Sequence, residues 1–182
     1  AAKADLIGFK MLEPQSAPFF DGIYKLGIDI PTFSLSAGYF GTFTTIGAHA
    51  APGGSYGIET IPYTYETENE VIVKMKKIYD ALEKPGAPFS YKWINGWVCG
   101  EVMREGVERA LDKVGYDNPT NVTVWEALET IKDFDPYPGG LTRISYSPTD
   151  HRGVIKSKIY FSDETPEIYP ITDWIDLPCI KP

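Results

Sequence analysis

One serine lies in a pattern that is typical of serine hydrolases. Gly53-Gly54-Ser55-Tyr56-Gly57 fits the G-x-S-x-G motif, and His151 lies downstream beside Asp150. That chemistry needs the serine on a sharp turn from a strand into a helix. Here Ser55 follows a Pro-Gly-Gly turn and precedes a strand-like segment. The pattern therefore favours a loop, and hydrolysis through Ser55 is the alternative function.

No other reaction centre is indicated by the residue types and their spacing. His49 and His151 are far apart, and the sequence has neither a phosphate-binding glycine loop nor a dinucleotide motif. Cys99 and Cys179 form no Cys-x-x-Cys and have no histidine nearby, so no zinc site is indicated. A disulfide between them is left open. We predict no catalytic residue, no metal and no cofactor, and thus a protein that is not an enzyme.

Small polar and aromatic residues instead cluster where predicted strands end. Residues 12–16 and 36–40 combine backbone donors, hydroxyl groups and aromatic rings. A few polar groups in an apolar cleft are typical of a small-ligand site. For Tyr39, Phe40 and Trp97, packing in a core is an equally good interpretation.

The elements that would position these residues alternate between strand and helix. Apolar runs predict strands, and apolar residues at helical spacing predict helices between them. The strands are expected over 5–12, 30–35 and 56–65; the helices are expected from a cap at Ser16 to a stop at Gly27, over 70–84, over 91–114, and over 124–132 with Asn121 or Thr123 as cap.

Strands dominate the rest of the chain. They are expected over 141–146, 154–161 and 168–170, the last two forming a hairpin. The whole order predicts an α/β fold: a mainly parallel sheet flanked by helices, with a helical pair and a small strand-rich tail. In such sheets ligands bind beyond the carboxyl ends of the strands.

Composition excludes several classes of protein. The chain has 182 residues, of which 43% are hydrophobic, so disorder and a coiled coil are excluded. With 17 Lys and Arg against 25 Asp and Glu, the net charge is −8, which argues against a nucleic-acid partner. No apolar stretch reaches the length of about 18 residues that a membrane span needs. Neither a signal peptide nor a lipidation motif is visible.

An ordered set of motifs resembles one known family. Residues 146–153, Tyr-Ser-Pro-Thr-Asp-His-Arg-Gly, look like the "sPtDHrG" signature of type I periplasmic solute-binding proteins, the leucine/isoleucine/valine-binding family of ABC importers. Asn95-Gly96-Trp97 is similar to their "qGY" helix start. Further matches lie at residues 25–38, 48–53 and 134–142. The resemblance covers nearly the whole chain in the same order.

The resemblance implies a domain organisation. Family members are about twice as long and have two α/β lobes that close over a ligand, so the chain corresponds to a carboxyl-terminal half and is interpreted as a fragment. Residues 4–88 would form an α/β domain, which is the second lobe of the periplasmic binding protein type I fold. Residues 89–160 would return to the first lobe, and residues 161–182 would form a crossover tail.

The resemblance also implies ligand-contacting positions and a ligand class. The family's amino-acid binders carry an acidic residue in the second loop, where this chain has Ser36-Ala37-Gly38. Glu13 in the first loop is the alternative acid, and an aromatic carboxylate is the alternative ligand, because an unpaired buried ammonium group is costly. The predicted ligand-binding residues are Met11, Glu13, Ser16, Ser36, Ala37, Tyr39, Phe40 and Trp97.

The predicted function is that of an extracytoplasmic solute-binding component of an ABC importer. The protein would act in the periplasm or anchored to the outside of the cell membrane. Its lobes would close on an amino acid or aromatic carboxylate, and the closed form would be presented to the permease. A cytoplasmic small-molecule sensor of the same fold is a further alternative. An isolated half would expose apolar cleft surface, so self-association is also expected.

Overall fold

The computed structural model describes residues 4–11, 13–34, 53–64, 66–82, 89–137, 139–154, 156–163 and 167–177. They form two compact units: the first lies within residues 1–59 and 157–175, and the second within residues 60–156 and 176–182. Along these residues the elements are β1 (Ile7–Phe9), α1 (Glu13–Lys25), β2 (Thr32–Ser34), β3 (Ser55–Glu59), α2 (Glu70–Ala81), α3 (Tyr91–Val114), α4 (Asn121–Glu129), β4 (Ile144–Ser147), β5 (Asp150–Val154), β6 (Lys156–Ser162), β7 (Tyr169–Pro170) and β8 (Ile175–Asp176).

The first unit is built on a mixed sheet. Its strands follow the order β1-β2-β3-β6-β7, and β8 also pairs with β6. β1, β2 and β3 run parallel, whereas β6 joins β3 and β7 joins β6 in antiparallel register. The pairing of β6 with β7 confirms the expected hairpin. The predicted fold class, parallel strands flanked by helices with a strand-rich tail, is likewise confirmed.

Helix α1 connects the first two parallel strands. It begins at Glu13, so Ser16 lies inside the helix and is fully buried, and the prediction that Ser16 is the cap is wrong. Pro14 explains the earlier start, because proline is tolerated in the first helical turn. The expected stop is correct: Gly27 has φ +61°, and the amide of Ile28 donates to the carbonyl of Ile23, as in a Schellman motif.

Strand β1 is shorter and less buried than its apolar run predicted. Only Ile7–Phe9 pair with β2, and the side chain of Leu6 is 51% exposed. Phe9 is buried, and its ring lies 5.1 Å from Phe19 and 5.3 Å from Phe20 of α1. These contacts join the first strand to the helix that follows it.

The second unit has its own apolar core. Its buried side chains come from α2, from α3, and from segments outside the helices: Ile61, Val71, Ile72, Met75, Ile94, Val98, Val102, Ile131, Leu141 and Ile144. Every fourth residue of α3 from Ile94 to Ala110 is buried. Burying one stripe of an amphipathic helix supplies most of its stability in a protein.

Helices α3 and α4 form the expected helical pair. α3 spans the predicted residues 91–114 and ends at Gly115, whose φ is +77°. α4 is capped by Thr120, whose hydroxyl accepts a hydrogen bond from the Thr123 amide. The predicted caps, Asn121 and Thr123, are therefore corrected to Thr120. The helices pack closely because Gly106 has no side chain where Leu128 lies.

The compact units and the predicted segments divide the chain at different positions. The expected boundaries follow residues 88 and 160, whereas the units change at residues 59–60, 156–157 and 175–176. Helix α2 thus lies in the second unit together with α3 and α4. The assignment of these segments to lobes remains a prediction.

Candidate ligand-binding site

The first predicted ligand loop connects β1 to α1. Met11 is half-buried at the end of this connection, and Glu13 is the first residue of α1. Ser16 lies one turn further along the helix with its side chain buried. All three residues lie in the first unit, at the carboxyl end of a parallel strand. This is the position at which open α/β sheets bind ligands.

The second predicted ligand loop lies outside the described residues. Ser36, Ala37, Tyr39 and Phe40 all belong to it. The strand that precedes it, β2, is described up to Ser34 and is parallel to β1. Both loops therefore follow neighbouring parallel strands in the chain. Their ligand contacts remain predictions.

Trp97 lies in the second unit and contributes to an aromatic cluster. Its Nε1–H donates a hydrogen bond to the carbonyl of Pro136 at 3.2 Å. Its ring lies 5.6 Å from Trp93 and 6.0 Å from Tyr137. Trp97 is half-buried, so part of its surface is accessible to a ligand. The packing role of Trp97 is observed, and its ligand role remains a prediction.

The structure gives Ser55 a packing role in the first unit. Ser55 is the first residue of β3, is fully buried, and its Oγ lies 2.8 Å from Oγ1 of Thr32 on the neighbouring strand. A hydrolase serine must be exposed on a turn that leads from a strand into a helix. The position of Ser55 before a strand rather than after one is incompatible with that geometry.

The family-like signature at residues 146–153 forms a hairpin. Residues 150–154 form strand β5, which pairs antiparallel with β4. Asp150 and Arg152 form a bidentate ion pair at 2.9 and 2.6 Å. His151 Nε2 lies 2.9 Å from Oε1 of Glu129, at the end of α4. Every polar residue of the signature thus has a structural contact.

Gly153 completes this hairpin because it leaves room for an aromatic ring. Its φ is +78°, and a methyl group at its Cα would lie 2.9 Å from the hydroxyl oxygen of Tyr146. Burial raises the pKa of the Tyr146 phenol, and the nearby Cys99 adds to the effect. The phenol therefore stays neutral and can donate as well as accept a hydrogen bond.

We expect Asp150 to titrate far below an ordinary aspartate. Hydrogen bonds from the Arg152 guanidinium lower the pKa of Asp150 from 3.8 to about 2. A lowered pKa means that the stabilisation from this ion pair is present above pH 4 and is lost as the pH falls to about 2. A carboxyl titration by NMR checks the value. In Arg152→Gln the pKa should return towards 3.8, whereas an unchanged pKa would contradict the assigned cause.

The described part of the chain shows neither a metal-binding cluster nor a membrane-spanning helix. No group of three or more His, Cys, Asp or Glu side chains there is arranged to bind a metal ion. No helix among those residues is both long and apolar enough to cross a bilayer. Cys99 is an exposed free thiol, and Cys179 lies outside the described residues.

Several solved structures that this chain resembles are named as substrate-binding or leucine-binding proteins. A fatty acid ABC transporter substrate-binding protein from Thermomonospora curvata matches 95% of the chain with a TM-score of 0.75 and 17% identity. A substrate-binding periplasmic protein from Ralstonia solanacearum matches 93% with a TM-score of 0.75 and 18% identity. A leucine-binding protein from Thermotoga maritima matches 94% with a TM-score of 0.64 and 16% identity.

The chain has the fold of the type I periplasmic binding proteins. This confirms the resemblance inferred from the ordered motifs, although no protein-family model and no curated protein matches the sequence. The chain spans 43%, 46% and 45% of the length of those three structures, which is less than half of each. All three are named as substrate-binding or leucine-binding proteins.

Sequence reasoning missed the contacts that tie the signature to α4. Glu129 is 22 residues from His151, and the ring of Trp125 lies 5.0 Å from the imidazole. Both partners lie on a helix that the sequence did predict. The only available signal was that an acidic and an aromatic residue share one face, four residues apart, and this pattern is also common on solvated helices.

Proposed function

We propose that the chain is part of an extracytoplasmic solute-binding component of an ABC importer. The observation that supports this most strongly is the likeness of 92–97% of the chain to solved substrate-binding proteins. β1 and β2 are parallel neighbours, and the loops that follow them would supply the cleft edge that such a role needs. A permease in the cell membrane is the partner that this role implies.

The proposed ligand is an amino acid or an aromatic carboxylate. Met11 would contact it from the first loop, Glu13 and Ser16 from the start of α1, and Ser36, Ala37, Tyr39 and Phe40 from the second loop. Trp97 would contribute an aromatic face. The two named examples, a fatty acid binder and a leucine binder, both act on molecules with a carboxylate and an apolar part. The loop chemistry of this chain suits the same combination.

The proposed mechanism is closure of two lobes around the ligand. A ligand that binds the closed form more tightly than the open form shifts the equilibrium between them. We propose that residues 4–88 belong to the second lobe, that residues 89–160 return to the first, and that residues 161–182 cross back. Apolar cleft surface left open would favour self-association, which light scattering across concentrations measures.

A thermal-shift panel tests the proposed function. Leucine, phenylalanine and benzoate are added separately, and a ligand of the native state raises the melting temperature in proportion to the logarithm of its concentration. Trp97→Ala should reduce that rise, because removing one aromatic contact weakens binding by roughly two- to tenfold.

Trp125→Ala is the matched control, since Trp125 lies on α4 and is not among the proposed ligand residues. It should leave the response to these three ligands unchanged. Equal losses in both variants would contradict the assignment of Trp97 to the ligand site. An absent response to all three compounds would contradict the proposed ligand class.

A further inference from the structure

A cavity opens within the second unit, on the surface formed by α3, α4 and the hairpin β4–β5. Its volume is about 220 Å³. Val102 and Met103 line it from α3, Leu128 from α4, and Tyr146 from β4. The remaining lining residues are Trp125, Glu129 and His151. Of the predicted ligand-binding residues whose side chains the structure describes, Met11, Ser16 and Trp97, none lines this cavity.

The cavity lining is largely apolar, and two of its large apolar residues are exposed to solvent. The Trp125 side chain is 55% exposed and that of Met103 is 51% exposed. Covering such groups with an apolar ligand is favourable at about 25 cal/mol per Å² of buried area. An apolar cavity of about 150 Å³ is known to accept one benzene ring. The cavity observed here therefore has room for a single small ring system.

Glu129 supplies a carboxylate acceptor at this largely apolar surface, which the Tyr146 phenol and the His151 imidazole also line. The Glu129 side chain is only 19% exposed, and its Oε1 is paired with His151 Nε2 at 2.9 Å. Within the described part of the chain the second carboxylate oxygen has no hydrogen-bond partner, although a carboxylate accepts through both oxygens. The Trp125 ring packs edge-to-face against His151 at 5.0 Å and holds the pair in place. A half-buried acceptor is thus fixed at the cavity wall.

We propose that this cavity binds a small neutral aromatic molecule that carries one O–H or N–H donor. The ring fills the space between Trp125, Met103 and Leu128, and the donor bonds to the free oxygen of Glu129. Aromatic carboxylates are rejected, because a second carboxylate beside Glu129 is repelled in a partly desolvated site. The selectivity is therefore opposite to that of the proposed cleft, and the two proposals succeed or fail separately.

The three methionines of the chain make the test specific. With ¹³C-methyl methionine, NMR gives one methyl signal each for Met11, Met75 and Met103. Phenol is titrated into the whole protein, and indole is used in a second titration. We expect a saturable shift of the Met103 signal from the ring current of the bound ligand. The Met75 methyl lies in the core of the same unit with no exposed surface and should not move.

Two variants and one competitor complete the experiment. Glu129→Gln should weaken phenol binding about three- to tenfold, because a hydrogen bond to a charged acceptor is stronger than one to a neutral acceptor. Trp125→Leu should weaken it about two- to tenfold, because the aromatic contact is lost. An unmoved Met75 signal in both variants reports an intact core. Benzoate should leave Met103 unshifted.

The proposal is overturned by any of three results. The first is a Met103 signal that does not move up to the solubility limit of phenol and indole. The second is a shift of Met75 equal to that of Met103, which would report non-specific effects of the solvent. The third is benzoate binding as strong as phenol binding, which would show that Glu129 does not face the ligand.

Discussion

Met75→Ala should lower the free energy of unfolding by about 2–5 kcal/mol. The Met75 side chain has no exposed surface and lies in the core cluster of the second unit. Truncation removes its transfer free energy and leaves a cavity that the neighbouring side chains fill only in part. Urea unfolding followed by circular dichroism measures the change.

Met103→Ala is the matched control, because the same side chain is 51% exposed on α3. A surface substitution of this kind changes stability by no more than about 0.5 kcal/mol. If both substitutions lower the free energy of unfolding equally, the Met75 side chain is not buried against the neighbours of α2 as described above.

Gly54→Ala should destabilise the first unit by about 2–4 kcal/mol, as the sum of two separate costs. Gly54 has φ +82°, a left-handed conformation that residues with a Cβ atom disfavour. A Cβ at this position would lie 2.5 Å from a ring carbon of Phe161. That ring cannot move away freely, since it packs against Tyr56 at 4.9 Å and Tyr169 at 5.7 Å.

Gly27→Ala separates the two costs. Gly27 has φ +61° but open space where the methyl group would lie. It should lose only the conformational part, about 1 kcal/mol. Urea unfolding of both variants gives the comparison. Equal losses at the two positions would show that the contact of Phe161 with Gly54 contributes nothing.

Elements defined by long apolar periodicity could be predicted from the sequence. α3 carries a buried residue on every fourth position from Ile94 and ends at a glycine with positive φ, and its observed bounds equal the predicted ones. The helix stop at Gly27 was found for the same reason. In these segments the local signals and the tertiary packing favour the same structure.

Boundaries that depend on polar contacts could not be predicted. Thr120 caps α4 through a capping box in which Thr123 occupies position N3. Glu or Gln is usual at that position, so the sequence pattern did not identify the cap. The strand at residues 150–154 is mostly polar and forms because it pairs with β4. Ser16 has the chemistry of a cap, but the helix already begins at Glu13.

The candidate site was predictable only in outline. The sequence placed Met11, Glu13 and Ser16 after a strand, and the structure agrees that this strand is parallel to its neighbour. The pairing of His151 with Glu129 depends on two elements that meet only after folding. The segment boundary at residue 88 came from the family resemblance and remains a prediction, and the compact units change at residues 59–60.

Calorimetric titration with leucine, phenylalanine and benzoate, followed by mass analysis of the recovered ligand, shows whether the chain binds a small molecule and leaves it unaltered. We expect saturable binding of at least one of these compounds and its recovery without chemical change. Turnover of a bound compound would contradict the claim of a binding protein. So would the absence of binding by all three, because the loops after the parallel strands would then have lost their proposed role.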